Sequence, residues 1–303
     1  MENALTILGS SSALPTSQRF SSAQVLQMLE RFFLIDCGEG TQIQLRRANI
    51  SFSKIQAIFI SHLHGDHYLG IFGVLSSFTL LGRKKPLRIF APKGFQKIVQ
   101  FQLEFLVSEL TFPIYFIDLP NEPFALVHSD KKVDIYAFKL HHRIDTWGFY
   151  FKEKPKDYTV LKEAIELYKL TIPQILTAKR GEDIEIDNTH VIKNNLIAIP
   201  PLAPKSYVYI SDTLFYASIS QYFQNVTLLY HEATFSHNLL DRAKETYHST
   251  ALQAAEFAQM CNAKQLLIGH FSARYKSVIE LEKEAQTIFP NTKAVQDLET
   301  YYF

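Results

Sequence analysis

The chain has 303 residues, 47% hydrophobic and 20% charged, the make-up of a soluble globular protein with enough apolar surface for a large core. A formal net charge of +1 excludes a global electrostatic pull on nucleic acid or membrane, so a polyanion would have to be held by local basic patches. Two cysteines, Cys37 and Cys261, without a CxxC motif argue against a disulfide framework and for a reducing compartment.

No apolar run reaches the ~18–20 residues of a membrane-spanning helix. The start "MENALTILGSSSALP" lacks a basic n-region, so no signal peptide is expected and a cytoplasmic protein is the default. Strands are predicted at "ALTILGS", "SAQVLQML", "RFFLIDCG" and "IQAIFISH", each short, apolar and closed by Gly, Ser or Asp. "EGTQIQLRRANI" has helical spacing between two of them. A helix follows in "YLGIFGVLSSFTLLG", a strand in "PLRIFAP", a helix in "GFQKIVQFQLEFL", and strands in "VDIYAFKL" and "TWGFYFKEK".

Residues 155 to about 200 change character: the stretch is charged, with one amphipathic helix and a basic turn, and reads as an insertion projecting from a single domain spanning 1–303. Strands resume in "SYVYISDT", "VTLLYHEATF" and "AKQLLIGHFS", with helices in "HSTALQAAEFAQMCN" and "VIELEKEAQTIF". Strands and helices intermix throughout, so the class is α/β with a mixed sheet or two sheets.

The chemistry gathers at strand ends. "SHLHGDHYLG" places three of the chain's eleven histidines and one aspartate within six positions, as His62, His64, Asp66 and His67. "FKLHH" delivers His141 and His142, "YISD" Asp212, "LYHE" His231 and Glu232, and "LIGH" His270. Imidazole nitrogen and carboxylate oxygen are borderline ligands suited to Zn²⁺ and its first-row neighbours. His62 and His64 alternate by two and can aim at one ion, while Asp66 and His67 sit beyond the Gly65 turn and can face a second. Two ions need a shared anionic ligand, which one aspartate on another strand would supply. Lone histidines such as His128 and His190 are expected to be ordinary surface or satisfied core residues.

"HLHGDH" matches the HxHxDH signature of the metallo-β-lactamase superfamily, whose fold is an αβ/βα sandwich of two facing mixed sheets. "IDCGEGTQIQL", "SHLHGDHYLGIFGVL", "HEATF", "HSTALQAAEFA", "LLIGHFSARY" and "LGSSSALPTSQRFSSA" together closely resemble the ribonuclease Z family of tRNA 3′-processing endonucleases, in order and over nearly the whole chain. The resemblance implies two Zn²⁺ per chain. One site would take His62, His64 and His142, the other Asp66, His67 and His270, with Asp212 bridging. His142 is preferred over His141 because the family histidine stands six residues before the glycine of a "GY"-like pair, here Gly148 and Phe149.

A pair of ions can lower the pKa of a bridging water toward neutrality and neutralise charge on a phosphodiester. The resemblance gives Asp66 a proton-accepting role beside its role as ligand. It makes His248 and Glu232 the pair that protonates a leaving ribose 3′-oxygen. Arg19 and Arg274 are candidates for phosphate contacts.

The basic clusters "KEKPK", "AKRG" (Lys179, Arg180) and "GRKK" (Arg83, Lys84, Lys85) are candidates for RNA backbone contacts. The first two bracket the insertion, where the family carries a flexible arm that grips the tRNA body. The family's Gly- and Pro-rich basic loop is altered here to "LTIPQILTAKRGE", which lacks the Gly-Pro pairs. The resemblance also implies a homodimer with precursor tRNA as its partner, and apolar helical faces flanking "HLHGDHYLG" could form the interface. Two other readings compete: a superfamily hydrolase acting on a small phosphodiester, a sulfate ester or a lactam, and a non-catalytic RNA-binding relative. A complete set of seven ligands argues against the latter.

Overall fold

The computed structural model describes residues 2–106, 110–186 and 190–303. The chain divides into two compact units: Met1–Ser129 with Ile135–Phe151 and Ser206–Phe303, and Asp130–Asp134 with Lys152–Lys205.

In the first half of the chain, β1 (Ala4–Gly9), β2 (Ala23–Met28), β3 (Arg31–Ile35), β4 (Ile55–Phe59), β5 (Leu87–Ala91) and β6 (Ile114–Asp118) alternate with α1 (Thr41–Arg47), α2 (Gly65–Tyr68), α3 (Ile71–Leu80) and α4 (Phe95–Leu106). There follow β7 (Phe124–Ser129), β8 (Val133–Leu140) and β9 (Thr146–Glu153). The stretch 152–205 contributes β10 (Thr159–Val160), α5 (Lys162–Tyr168), α6 (Ile172–Lys179), β11 (Ile184–Glu185), β12 (Val191–Ile192), α7 (Asn194–Ile197) and β13 (Ala198–Ile199). The remainder supplies β14 (Ser206–Ile210), β15 (Leu228–Glu232), α8 (Leu240–Thr246), α9 (Ala251–Met260), β16 (Gln265–Gly269), α10 (Ile279–Gln286), β17 (Thr292–Ala294) and β18 (Thr300–Tyr302).

Two seven-stranded mixed sheets result, ordered β18-β1-β2-β3-β4-β5-β6 and β17-β16-β15-β14-β9-β8-β7. They make the expected α/β sandwich. β3 to β6 run parallel, as do β14 to β17. The period-2 pattern of a strand buried on both faces explains the layers. On β4, Ile58 joins the apolar cluster beneath the helices with Val74, Leu75 and Phe78 of α3. Phe59, the next residue, meets Phe149 of the other sheet with ring centroids 5.2 Å apart, and Phe33 of β3 meets Phe151 at 5.4 Å. This aromatic layer fixes how the sheets face each other, and with it the relative placement of the loops after their carboxyl ends.

β6 and β7 were not anticipated. They are half-exposed edge strands of the two sheets, separated by "PNEP", and their apolar runs "IYFI" and "FALV" were passed over. Both cysteines are free and buried. No helix among the described residues is long and apolar enough to cross a membrane.

The second unit has its own small core of Ala164, Leu170, Ala178, Ile184, Ile197 and Ala198. The insertion expected over 155–200 lies within it, except residues 187–189, which are outside the described residues. Where one amphipathic helix was expected there are two. The chain leaves α5 through Lys169 at φ 51°, and Thr171 with Gln174 forms a capping box that starts α6. Pro173 belongs in that first turn, because its ring would break a continuous helix. "IPQILTAK" is therefore helix, not loop, and Gly181 at φ 82° turns the chain after Arg180.

Candidate metal centre

Every strand-end group singled out by the sequence, His62 to His67, His142, Asp212, Glu232 and His270, follows or ends a strand of one or other sheet. The crevice beyond the carboxyl ends of parallel strands is where open α/β sheets collect ligands. Two glycines let the loops meet: a Cβ on Gly70 would lie 1.9 Å from the Gly38 carbonyl oxygen, and one on Gly38 would lie 2.4 Å from that of Asp66. "DCGEG" and "HLHGDHYLG" are thus pressed together backbone to backbone.

The donor atoms form two groups around one carboxylate. His62 Nε2 lies 3.1 Å from His64 Nδ1, which lies 3.3 Å from His142 Nε2. Asp212 Oδ2 faces this group, 3.6 Å from His62 Nε2 and 3.9 Å from His142 Nε2. On the other side, Asp212 Oδ1 lies 3.2 Å from His270 Nε2 and 3.5 Å from His67 Nε2. Asp66 Oδ2 completes that second group, 3.4 Å from His67 Nε2 and 3.7 Å from His270 Nε2. His141, the alternative to His142, packs instead between the rings of Tyr216 and Tyr247.

Hydrogen bonds on the far side of each ring decide which nitrogen faces inward. Asp36 is fully buried, and its Oδ2 accepts from His67 Nδ1 at 2.7 Å, from the Tyr209 hydroxyl at 2.7 Å and from Ser61 Oγ at 2.8 Å. Ser61 Oγ gives its one proton to Asp36, so at 2.9 Å it accepts from His62 Nδ1. His142 Nδ1 donates to the Tyr247 carbonyl at 2.8 Å. His62, His67 and His142 therefore all present Nε2 lone pairs to the cluster, at separations where two lone pairs repel. Asp212 Oδ1 is buried with no hydrogen-bond partner. No lysine or arginine pairs with Asp36, Asp66 or Asp212 among the described residues. Convergent lone pairs, an orphaned carboxylate oxygen and uncompensated buried anions all call for cations, so the residues fit a divalent metal.

The electrostatics agree. Burial lowers the pKa of His62, helped by the neighbouring His67, and burial likewise lowers His64 and His142, which keeps their lone pairs available. His67 is the exception: burial disfavours its imidazolium, but Asp212, Asp66 and Asp36 overcome it and raise its pKa, so a metal at Nε2 would have to displace a proton. Burial works against the Asp66 and Asp212 carboxylates too, yet the surrounding histidines hold both well below the usual carboxylate range.

Beside the cluster, His248 Nδ1 lies 3.0 Å from Glu232 Oε1. Glu232 is fully buried and accepts backbone N–H bonds from Thr213, Thr234 and Ser249. Burial opposes the His248 imidazolium, and the Glu232 carboxylate outweighs it, raising the pKa. His231, adjacent in sequence, bonds locally: its Nδ1 lies 2.6 Å from the Glu232 carbonyl.

A cleft of about 500 Å³ opens onto His64, Asp66, His142, Asp212 and His248. Arg143 is the one arginine or lysine among its lining residues, a position the sequence reading passed over. Arg19, expected there, gives a guanidinium nitrogen to the Tyr275 carbonyl at 2.7 Å. Arg274 is exposed, 4.9 Å from the Phe235 ring. Lys179 and Arg180 belong to the second unit, where Arg180 pairs with Glu182 at 2.9 Å. Arg83 overturns its expected place in a basic RNA-contacting cluster. It is buried against Phe78 and Phe112, and its guanidinium donates to the carbonyls of Ile55, Lys85 and Pro86. Asp36 and Thr234 were also passed over, although "IDCGEG" and "HEATF" were noted as motifs; each acts through a neighbour, which sequence spacing does not reveal.

A sandwich of two mixed sheets with a His/Asp cluster at their shared rim defines a hydrolase of the metallo-β-lactamase fold. A family model for the anti-Pycsar protein Apyc1 matches residues 3–110. Ribonuclease Z of Cytophaga hutchinsonii is 43% identical over 303 residues, covering 100% of this chain and 96% of the relative. Ribonuclease Z of Bacteroides fragilis (strain YCH46) is 42% identical over 288 residues, 95% of each chain. The crystal structure of human tRNase Z, short form, matches with a TM-score of 0.71 at 26% identity, covering 98% of both chains. The chain belongs to the ribonuclease Z family of endoribonucleases.

Proposed function

We propose that the protein removes the 3′ trailer from tRNA precursors, cutting one phosphodiester so that the tRNA keeps a 3′-OH. The observation that carries this reading is the two-sided donor cluster on Asp212, opening into the same cleft as the His248–Glu232 pair. The substrate class follows from family membership and from the human relative's name, tRNase Z.

His62, His64 and His142 with Asp212 Oδ2 would hold one divalent ion, and Asp66, His67 and His270 with Asp212 Oδ1 a second, zinc being the metal that suits these ligands. Bound there, the ions supply Lewis-acid polarisation of a water and of the scissile phosphate. Asp66, whose Oδ2 stands beside His67 and His270 at the cleft, accepts the proton that the attacking water gives up. As the bond from phosphorus to the ribose 3′-oxygen breaks, His248, held by Glu232 through Nδ1, protonates that oxygen. Its raised pKa keeps the needed proton in place.

The second unit is the arm for the tRNA body in this reading, supported by the exposed Lys179 at the end of α6. The enzyme works as a homodimer in the cytoplasm. Free buried cysteines suit a reducing compartment, and Ile43, Leu69, Leu80 and Leu81 remain exposed although Ile71, Val74, Leu75 and Phe78 of α3 turn inward. The deciding experiment is cleavage of a labelled tRNA precursor with and without chelator. A single cut at the trailer, abolished by chelator and restored by zinc, is expected. Metal-independent cutting, or none on precursor tRNA beside hydrolysis of small phosphodiesters, would reject the assignment.

A further inference from the structure

Thr234 follows "HEA" at the end of β15 and is buried between the two working parts of the site. Its hydroxyl lies 2.8 Å from Glu232 Oε2, 2.9 Å from His270 Nδ1 and 3.3 Å from His248 Nδ1. A hydroxyl has one proton to donate and lone pairs to accept with, so the direction of each bond is constrained. Glu232 receives backbone N–H groups from Thr213 at 3.2 Å and from Thr234 and Ser249 at 2.9 Å each, and such groups can only donate. The carboxylate is therefore an acceptor throughout, and the Thr234 proton goes to Oε2. With that proton committed, Thr234 Oγ1 can only accept from His270 Nδ1, which must carry its own hydrogen.

We infer that Thr234 is a positioning residue that ties the metal-facing tautomer of His270 to the carboxylate orienting His248. The chain of bonds runs from His270 Nδ1–H to Thr234 Oγ1, from Thr234 O–H to Glu232 Oε2, and from His248 Nδ1–H to Glu232 Oε1. One end leaves the His270 Nε2 lone pair facing Asp212 Oδ1 at 3.2 Å, and the other leaves His248 Nε2 for the substrate. The His270 backbone sits at φ 59°, a region uncommon for a side-chain-bearing residue, and its ring is held at Nδ1 by Thr234. His67 has its own outer partner in the Asp36 carboxylate. His270 has a hydroxyl shared with the proton-donating pair, so its orientation and that of His248 are set by one group.

This inference rests on the reading of His270 as a ligand and His248 as the proton donor. The test compares Thr234→Val, which keeps the shape and removes the hydroxyl, with Thr234→Ser, which keeps the hydroxyl. Zinc affinity is measured by competition with a chromophoric chelator, kcat and KM on precursor tRNA, and folding by thermal melting. The valine variant should lose roughly 10–100-fold in zinc affinity, as outer partners of metal ligands typically do, and should also lose kcat with little change in KM. The serine variant should restore both to within about threefold of wild type. If valine disturbs folding, Thr234→Ala is read the same way. Wild-type zinc affinity and kcat in a folded valine or alanine variant would overturn the inference, as would a serine variant as impaired as the valine one. Failure of the underlying reading looks different: the wild-type protein itself would bind no zinc or leave precursor tRNA uncut.

Discussion

In the unit over 152–205, Arg180 pairs with Glu182 and Lys193 with Asp183, all four side chains exposed to water. In the strand-end cluster the ionisable groups are buried or half-buried, meet from separate segments of the chain, and several are held by an outer partner, as His67 is by Asp36. Exposed pairs are screened and exchange readily with water, so they contribute little and can be given up to an incoming phosphate. Buried groups cannot rearrange at low cost, since removing one partner leaves another uncompensated, a loss of about 3–5 kcal/mol for buried ion pairs in general. One region is thus built to hold atoms still. The exposed pairs of the other exchange with water, as the proposed role in gripping tRNA would require.

The sharpest way to break this contrast is Asp212→Ala. Both halves of the cluster meet on this carboxylate, so the variant should lose more metal than His142→Ala, seen by elemental analysis of protein purified without chelator. Retention of close to two ions per chain would mean that Asp212 does not bridge. His248→Ala should come next, slowing cleavage by roughly 10²–10⁴-fold with metal content intact. Loss of metal there would place His248 among the ligands instead, a role its proximity to Asp212 and His270 makes worth excluding.

Asp36→Asn should act more weakly, through His67 directly and through His62 by way of Ser61. An amide can still take the orienting hydrogen bond but lacks the charge, so zinc affinity should fall by roughly 10–100-fold, read by chelator competition. An unchanged affinity would separate Asp36 from metal binding and leave it a fold residue. The smallest effect belongs to the insertion. Lys179→Ala should raise KM for precursor tRNA and shallow its salt dependence by about one counterion, with bis(p-nitrophenyl) phosphate hydrolysis unchanged. Arg180→Ala should do less, since its guanidinium is already paired. Equal losses on both substrates would show that the insertion supports the fold and not the RNA.

The strands that frame the cluster were legible because β4, β14, β15 and β16 are short, largely buried apolar runs that stop at polar residues, and β8 alternates buried and half-buried positions. β6 and β7 were passed over although "IYFI" and "FALV" are apolar runs of strand length. The helix break at Lys169 escaped because two short helices close together in sequence, with Pro173 inside the first turn of the second, have nearly the periodicity of a single helix. Basic runs misled at Arg83, where the same residue type that contacts phosphate also caps buried carbonyls.

By itself the sequence named the candidate ligands, since histidine and aspartate at successive strand ends declare their chemistry wherever the strands go. Spacing within "HLHGDH" and the motifs that follow it were enough for the family. Only the tertiary structure decided that Asp212 turns one oxygen to each group of histidines, that Asp36 and Thr234 select the tautomers of His67 and His270, and that Arg143, not Arg19 or Arg274, lines the cleft. Each of those facts is a direction in space, a lone pair or a proton pointed at a neighbour from a remote segment. Direction comes from the packing of Phe59 on Phe149 and Phe33 on Phe151, which sets the two sheets against each other before any side chain at their rim can meet.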